Sequence, residues 1–171
     1  MVRFGIGFDC HRLVKGRKLV LGGVQITHPK GLLGHSDGDC LCHAIADALL
    51  GAACLPDIGQ QFPDTDARYE GAFSLELLTR VGEMVREAGF EPTFIDCVIV
   101  AQEPKLAPHY ASMKEAIAGA VHLAPACVSV KASTTEGLGF IGAGEGIAAM
   151  AIATLADKSG RVMSQEIQRS S

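Results

Sequence analysis

The stretch Gly5-Ile6-Gly7-Phe8-Asp9-Cys10-His11-Arg12 carries the pattern from which the fold and chemistry of this chain follow. It is strand-like, and because side chains alternate between the two faces of a strand, Asp9 and His11 point the same way. The segment 34–43, Gly-His-Ser-Asp-Gly-Asp-Cys-Leu-Cys-His, places His43 early in an apolar helical pattern. One carboxylate and two imidazoles suit zinc, with a fourth position open for an oxygen of substrate or water. The competing interpretation is an Asp-x-His pair that ends a strand by chance.

Composition limits the classes of protein to consider. Hydrophobic residues make up 48% of the 171 residues, which is enough to bury a core as one domain. Aromatic residues are 5% and Trp is absent, so we expect an aliphatic core. The net charge of −4 argues against a broad nucleic-acid surface. No apolar run reaches membrane-spanning length and no signal-peptide pattern is seen, so we expect no membrane partner and a cytoplasmic location.

The cysteines invite a disulfide or zinc interpretation, but their spacing does not favour it. No Cys-x-x-Cys occurs, and residues two apart on a helix, such as Cys40 and Cys42, do not share a face. We therefore expect the cysteines to act as small apolar residues in a reducing compartment. The six are Cys10, Cys40, Cys42, Cys54, Cys97 and Cys127.

The order of predicted elements indicates an α/β (α+β) sandwich, with helices on one face of a mixed sheet. Lys18–Ile26 is predicted as one strand with a glycine interruption, forming a hairpin with the first strand through Lys15-Gly16-Arg17. Asp37-Gly38-Asp39 opens the first long helix, and Ser74 is the predicted N-cap of the next. Further elements are strand 93–101, helix 110–122 and strand 128–132.

His43 and Asp47 lie four residues apart on the first long helix, on one face. Asp47 could therefore orient the His43 ring as its outer hydrogen-bond partner. The alternative is that Asp47 is a solvated surface residue.

Two loops carry residues suited to phosphate chemistry. Glu136 follows three hydroxyl residues, 133–135, and a carboxylate in such a loop suits Mg²⁺ or Mn²⁺ bridging phosphates. The alternative is that Thr-Thr-Glu is an ordinary capping sequence. His35 and Ser36 precede a helix start, where they could help to hold a phosphate oxygen.

A series of segments resembles, in order, the family of 2-C-methyl-D-erythritol 2,4-cyclodiphosphate synthases over residues 2 to about 156. The resemblance implies an enzyme of the non-mevalonate isoprenoid pathway, a phosphorus–oxygen lyase. It would cyclise 4-diphosphocytidyl-2-C-methyl-D-erythritol 2-phosphate with release of CMP. The matching segments are Gly5–His11, Gly31–Asp39, Asp47–Ala52, Asp57–Gly59, Phe62–Asp66, Gln102–Lys105, Thr134–Glu136 and Gly144–Ala148.

The resemblance also implies roles for individual residues. Asp9, His11 and His43 would bind Zn²⁺, Glu136 would bind Mg²⁺ or Mn²⁺, and His35 and Thr134 would stabilise the transition state. The implied substrate-binding residues are Asp9, Cys10, His11, His35, Ser36, Asp57, Ile58, Gly59, Phe62, Pro63, Asp64, Thr65, Asp66, Ala101, Gln102, Glu103, Pro104, Lys105, Leu106, Ala107, Ser133, Thr134, Thr135, Glu136 and Phe140.

The family further implies a homotrimer whose sites lie between subunits. Residues 1–156 would form one synthase domain, and residues 157–171 would form a polar, flexible tail. Gly146–Leu155 is ambiguous by periodicity, and the family implies that it is a strand.

Two other classes of function remain open. A zinc-dependent phosphohydrolase could use the same ligands and would release inorganic phosphate, which the cyclase does not. A trimeric binding protein with a structural metal would bind nucleoside diphosphate ligands without turnover.

Overall fold

The computed structural model describes residues 1–69 and 71–158, and in these ranges the chain forms seven strands and five α-helices. The tail predicted from residue 157 lies outside the described residues from 159 onward. The strands are β1 (Val2–Lys15), β2 (Leu19–Leu21), β3 (Val24–Ile26), β4 (Lys30–Leu33), β5 (Phe90–Val100), β6 (Val128–Ser133) and β7 (Gly146–Asp157). The helices are α1 (Cys40–Ala53), α2 (Ile58–Gln61), α3 (Ser74–Glu87), α4 (Tyr110–Val121) and α5 (Gly139–Gly142).

Five strands form one mixed sheet in the order β4-β1-β7-β5-β6. Strands β5 and β6 are parallel, and the other neighbours are antiparallel. On one face, α1 lies against β1 and β7, α3 against β5, and α4 against β6. The predicted α/β architecture, with a mixed sheet and helices on one face, is confirmed, and the ambiguous Ala-rich segment is the central strand β7.

The predicted hairpin between β1 and the segment Lys18–Ile26 is wrong. That segment folds back on itself at Gly22 and Gly23, which have φ of 58° and 74°. Positive φ at both central residues is the geometry of a type I′ turn, so the segment becomes the separate hairpin β2–β3. Strand β1 pairs instead with β4 and β7.

Helix α1 packs directly on the backbone of β1. A Cβ on Gly5 would lie 1.9 Å from the Ala48 carbonyl oxygen, and one on Gly7 would lie 1.9 Å from the Ala44 carbonyl oxygen. Any larger residue at these positions would push the helix outward. The two glycines therefore set the distance between α1 and β1.

The opposite face of the sheet carries an apolar stripe that the described chain leaves uncovered. The outward residues of β1, Phe4, Ile6 and Phe8, are 71%, 66% and 59% exposed. On β7, Ile152 stands opposite Ile6 and Met150 opposite Phe8, and both are exposed as well. A contiguous exposed apolar patch of this kind is typical of an interaction surface.

The buried core is aliphatic, as composition predicts, and three cysteines belong to it. Cys40, Cys42 and Cys97 are buried free thiols, and burial raises the pKa of Cys97 to about 12. Such thiols are neutral at ordinary pH and pack as small apolar groups.

None of the described helices has the length and apolar character needed to span a membrane.

We expect Gly7→Ala to destabilise the fold by about 1–3 kcal/mol or more, because the new methyl group overlaps the α1 backbone. Gly119→Ala in α4 is the matched control, since a Cβ there meets nothing within 4 Å. The control should gain about 0.5–1 kcal/mol from helix propensity. Urea unfolding of both variants measures the difference, and equal midpoints would contradict the close contact of α1 with β1.

Candidate metal centre and active site

Asp9, His11 and His43 bring three ligand atoms together where α1 begins. The Asp9 Oδ2 atom lies 2.8 Å from His11 Nε2 and 2.9 Å from His43 Nδ1. The two imidazole nitrogens are 3.2 Å apart. The contact of α1 with Gly5 and Gly7 produces this arrangement, because Asp9 and His11 continue the same face of β1 toward the first turn of the helix. The cluster predicted from alternation along the strand is confirmed.

The hydrogen bonds around the two histidines leave one nitrogen of each ring directed at the cluster. His11 Nδ1–H donates to the carbonyl oxygen of Leu33 at 2.7 Å, so Nε2 is the nitrogen turned to the cluster and would give its lone pair to a bound cation. His43 turns Nδ1 to the cluster and Nε2 toward the hydroxyl groups of Ser36 and Ser74. Two imidazole nitrogens and a carboxylate oxygen form a donor set that suits a divalent metal ion with an open position.

The cluster also has the electrostatics of a cation site. Burial raises the pKa of the Asp9 carboxyl, but hydrogen bonds and charge from His11 and His43 outweigh burial and hold that pKa well below its usual value. The hydrogen bond to Asp9 raises the pKa of His11, and burial opposes it. An ionised carboxylate therefore stands beside two imidazoles, an arrangement that suits a bound divalent cation.

Asp39 fixes the start of α1 and, with it, the position of His43. Its Oδ1 accepts hydrogen bonds from the backbone N–H groups of Leu41 and Cys42, both at 3.1 Å. The same carboxylate accepts from Gly22 N–H at 2.9 Å and Gly23 N–H at 2.7 Å. The predicted helix start is confirmed, and this one buried carboxylate also ties the β2–β3 hairpin to the site.

Arg17 holds the loop that carries His35 and Ser36. Its guanidinium donates to the carbonyl oxygens of Leu32 and Gly34, each at 3.2 Å, and of Ser36 at 2.8 Å. Three carbonyl groups on one side of the loop are thereby satisfied, and His35 stays beside the cluster.

A cavity of about 220 Å³ opens in front of the cluster. It collects several of the predicted substrate residues, together with Asp47. Asp47 Oδ1 accepts from Ile58 N–H at 2.8 Å, and the orienting role of Asp47 toward His43 stays a prediction. Burial raises the pKa of Asp47. The lining residues are Asp9, His11, His35, Ser36, His43, Asp47, Ile58, Gly59, Phe62, Asp64, Tyr69 and Leu77.

The remaining predicted residues lie away from this cavity. Cys10, Asp57, Pro63, Thr65 and Asp66 lie within two residues of a lining residue in the chain but do not line the cavity. The loops 101–107 and 133–136, with Phe140, also lie outside it. Strands β7 and β5 separate β1 from β6, and three strand spacings amount to about 14 Å. Within the described chain, loops 101–107 and 133–136 therefore lie outside the cavity that contains the metal cluster.

The loop after β6 presents Thr134 and Glu136 as a pair. Thr134 Oγ1–H donates to Glu136 Oε1 at 2.7 Å, and the Glu136 N–H donates back to Thr134 Oγ1 at 3.3 Å. Glu136 has a φ of 53°, so the backbone bends sharply and both side chains are exposed. Gln102 reaches this loop through its Oε1, which accepts from Gly137 N–H at 3.3 Å.

Sequence reasoning missed three residues of the site. Tyr69 and Leu77 line the cavity, and Ser74 contacts His43. Ser74 is predicted as the N-cap of α3, but the N-cap is Phe73, and the Ser74 hydroxyl contacts His43 Nε2, on the side of the ring away from the metal cluster. A serine at a helix start signals a cap in sequence, and only the tertiary fold reveals that its hydroxyl is used elsewhere.

Fold and site together define a class: a mixed-sheet α/β protein with an Asp-His-His metal cluster over a small cavity. The chain belongs to the YgbB family, whose model matches residues 2–156. It is 56% identical over 154 residues to 2-C-methyl-D-erythritol 2,4-cyclodiphosphate synthase of Alkaliphilus oremlandii, covering 90% of this chain and 98% of that protein.

Solved structures agree with this assignment. The chain is 38% identical to a 2C-methyl-D-erythritol-2,4-cyclodiphosphate synthase in its CDP-bound form, with a TM-score of 0.83 over 90% of this chain and 100% of that one. It is 46% identical to the bifunctional IspDF of Campylobacter jejuni, with a TM-score of 0.88 over 92% of this chain and 43% of that one. The family resemblance read from the motifs is confirmed.

We expect His43→Ala to lose most of its bound metal while keeping the fold, because two ligands hold an ion poorly in an open site. Activity should fall on the order of 100-fold or more, since changes outside the ligand set alone cost 10–100-fold. His109→Ala is the control, as His109 is not part of the cluster. Elemental analysis and circular dichroism check both variants; full metal occupancy in His43→Ala would remove this residue from the ligand set.

Proposed function

We propose that this chain converts 4-diphosphocytidyl-2-C-methyl-D-erythritol 2-phosphate to 2-C-methyl-D-erythritol 2,4-cyclodiphosphate and CMP, in isoprenoid biosynthesis. The observation that carries the proposal is the match to synthases over nearly their whole length, joined to a metal cluster that opens into a cavity. The reaction is intramolecular and consumes no water.

An oxygen of the 2-phosphate attacks the β-phosphorus of the diphosphate, forming a new P–O bond. The bond from the β-phosphorus to the bridging oxygen breaks, and CMP leaves with that oxygen and its electron pair. Such a transfer depends on in-line positioning and charge neutralisation more than on a protein nucleophile. The loop held by Arg17 would position His35 and Ser36 against the phosphate that lies nearest the metal cluster.

Asp9, His11 and His43 would hold Zn²⁺, and Glu136 would hold Mg²⁺ or Mn²⁺. When bound, these ions supply positive charge that attracts phosphate oxygens and offsets the charge of the transition state. His35 and Thr134 would donate hydrogen bonds to phosphoryl oxygens. Loop 57–66 would hold the methylerythritol part, and loops 101–107 and 133–136 would hold the cytidine part, for which the CDP-bound relative offers a parallel.

The active enzyme would be a homotrimer with sites between subunits. Two features support this proposal: the apolar stripe on the uncovered sheet face, and the separation of loops 101–107 and 133–136 from the metal cluster within one chain. The stripe would bury against neighbouring copies and bring the loops of one subunit to the metal cluster of the next. Residues 1–156 would form this domain, and the free thiols fit a cytoplasmic location.

Phosphorus NMR of the substrate incubated with protein, Zn²⁺ and Mg²⁺ tests the proposed reaction. We expect the resonances of a cyclic diphosphate and of CMP in equal amounts, with no inorganic phosphate. Release of inorganic phosphate would instead establish a phosphohydrolase. Unchanged substrate resonances with saturable binding of CDP would establish a binding protein.

We expect Glu136→Gln to keep the zinc content of the wild type and to lose the response of activity to added Mg²⁺. The amide keeps the size of the side chain but removes the charge that a hard cation needs. Glu115→Gln on the exposed side of α4 controls for the loss of one negative charge. A normal Mg²⁺ titration of Glu136→Gln would exclude the proposed role of Glu136.

We expect activity to return when the inactive variants His43→Ala and Glu136→Ala are mixed, dissociated and reassembled. If each site takes its metal cluster from one subunit and its Glu136 loop from another, random mixing leaves about a quarter of the sites intact. Each variant treated alone is the control and should stay inactive. Absence of recovery in mixed trimers, verified by mass spectrometry, would place the whole site within one chain.

A further inference from the structure

A chain of hydrogen bonds runs from His43 away from the metal cluster, and the proposed reaction does not use it. The Nε2 atom of His43, on the side of the ring opposite the ligand atom Nδ1, lies 2.9 Å from Ser74 Oγ and 3.1 Å from Ser36 Oγ. Ser74 is 1% exposed. Its hydroxyl is therefore shielded from water and must find its partners within the protein.

The donors along this chain follow from the ligand role of His43. When Nδ1 gives its lone pair to a cation, Nε2 carries the proton and donates to the hydroxyl oxygen of Ser74. The Ser74 hydroxyl then donates its own proton onward, and Asp37 Oδ1 lies within a short hydrogen bond of it. An ionised carboxylate accepts hydrogen bonds and donates none. The donors therefore all point one way, from His43 to Ser74 and from Ser74 to Asp37.

Asp37 is itself held firmly. Its Oδ2 accepts from the backbone N–H of Ser74 at 3.2 Å, and its Oδ1 accepts from Asp39 N–H at 3.2 Å. The carboxylate also stands at the N-terminal end of α3, where the helix dipole favours negative charge. The negative charge of Asp37 at the end of this hydrogen-bonded series strengthens the bond from Ser74 and the bond from His43 to Ser74.

The Ser36 hydroxyl also lies 3.1 Å from Ser74 Oγ, but among the described residues it is the Ser74 hydroxyl, and not that of Ser36, that contacts Asp37. The Ser36 hydroxyl accepts from Gly38 N–H at 3.2 Å, and the Ser36 side chain faces the cavity. Asp47, a further carboxylate of the cavity, accepts a hydrogen bond from the Ile58 N–H. On the Nε2 side of His43, away from Asp9, the path through Ser74 is the one among these contacts that joins the ring to a carboxylate.

We propose that Ser74 and Asp37 are positioning residues of the metal centre, which lock the orientation of the His43 ring and make its Nδ1 a stronger ligand through the hydrogen-bonded chain His43–Ser74–Asp37. This inference rests on the metal site of the proposed function. Outer partners of this kind fix the tautomer of a ligating histidine and increase its basicity. The intervening hydroxyl transmits the effect of Asp37, which does not touch His43.

Zinc affinity, measured in competition with a chromophoric chelator and without substrate, tests the inference. We expect Ser74→Ala and Asp37→Asn each to bind Zn²⁺ about 10–100-fold more weakly than the wild type. Because the two residues act in series, the double variant should lose no more than the weaker-binding single variant. Ser112→Ala and Glu115→Gln, both on the exposed side of α4, are matched controls and should keep wild-type affinity.

Cobalt substitution separates this role from a merely structural one. If Ser74 and Asp37 tune the ligand, the visible d–d absorption of the Co²⁺-loaded protein should shift in both variants. If they only tie α3 to the 34–39 loop, urea stability falls while the Co²⁺ spectrum and zinc affinity stay unchanged, and the inference is overturned. Additive losses in the double variant would also overturn it. A wild-type protein that binds no zinc would instead refute the metal site itself.

Discussion

The contact between the α1 backbone and the glycines of β1 is the constraint on which the rest of the site depends. Two residues of strand advance about 6.7 Å, and four residues of helix advance about 6 Å. Gly5 and Gly7 therefore meet Ala48 and Ala44 in turn, with helix and strand antiparallel. One step further along β1 comes Asp9, and it meets the first turn of α1, where His43 stands. A methyl group at either glycine would overlap the α1 backbone and shift the helix. His43 would then move away from Asp9.

The close contact also determines the electrostatics of the site. Because α1 packs on the backbone of β1, Asp9 and His43 are brought to 2.9 Å from each other. Burial of the Asp9 carboxylate opposes its ionisation, and a bound cation would offset that desolvation. Two further residues hold the site in place. Asp39 fixes the start of α1, and Arg17 fixes the loop that carries His35.

Sequence reasoning succeeded where one local rule decides the outcome. Strand alternation placed Asp9 and His11 on one face, and capping chemistry located the start of α1 at Asp39. It failed where distant parts of the chain compete for the same residue. An Ala-rich segment carries no signal for the pairing of β1 with β7, and the glycines of the Gly22-Gly23 turn are equally typical of an irregularity within one strand. Ser74 was assigned to a cap, because the partner that claims its hydroxyl lies 31 residues away in His43.

The sideways separation of the metal cluster on β1 from the Glu136 loop after β6 has a physical consequence in the proposed trimer. The substrate carries a diphosphate and a phosphate, whereas the chain has a net charge of −4, so bound cations must supply much of the neutralising charge. The metal cluster stands on β1 and Glu136 follows β6, about three strand spacings away in one chain. Burial of the apolar stripe of Phe4, Ile6 and Phe8 would provide the free energy that brings the Glu136 loop of one subunit to the metal cluster of another. An isolated subunit would then hold one cation beside an incomplete pocket, and phosphoryl transfer would begin only where the hydrophobic contact between subunits has joined both cation sites.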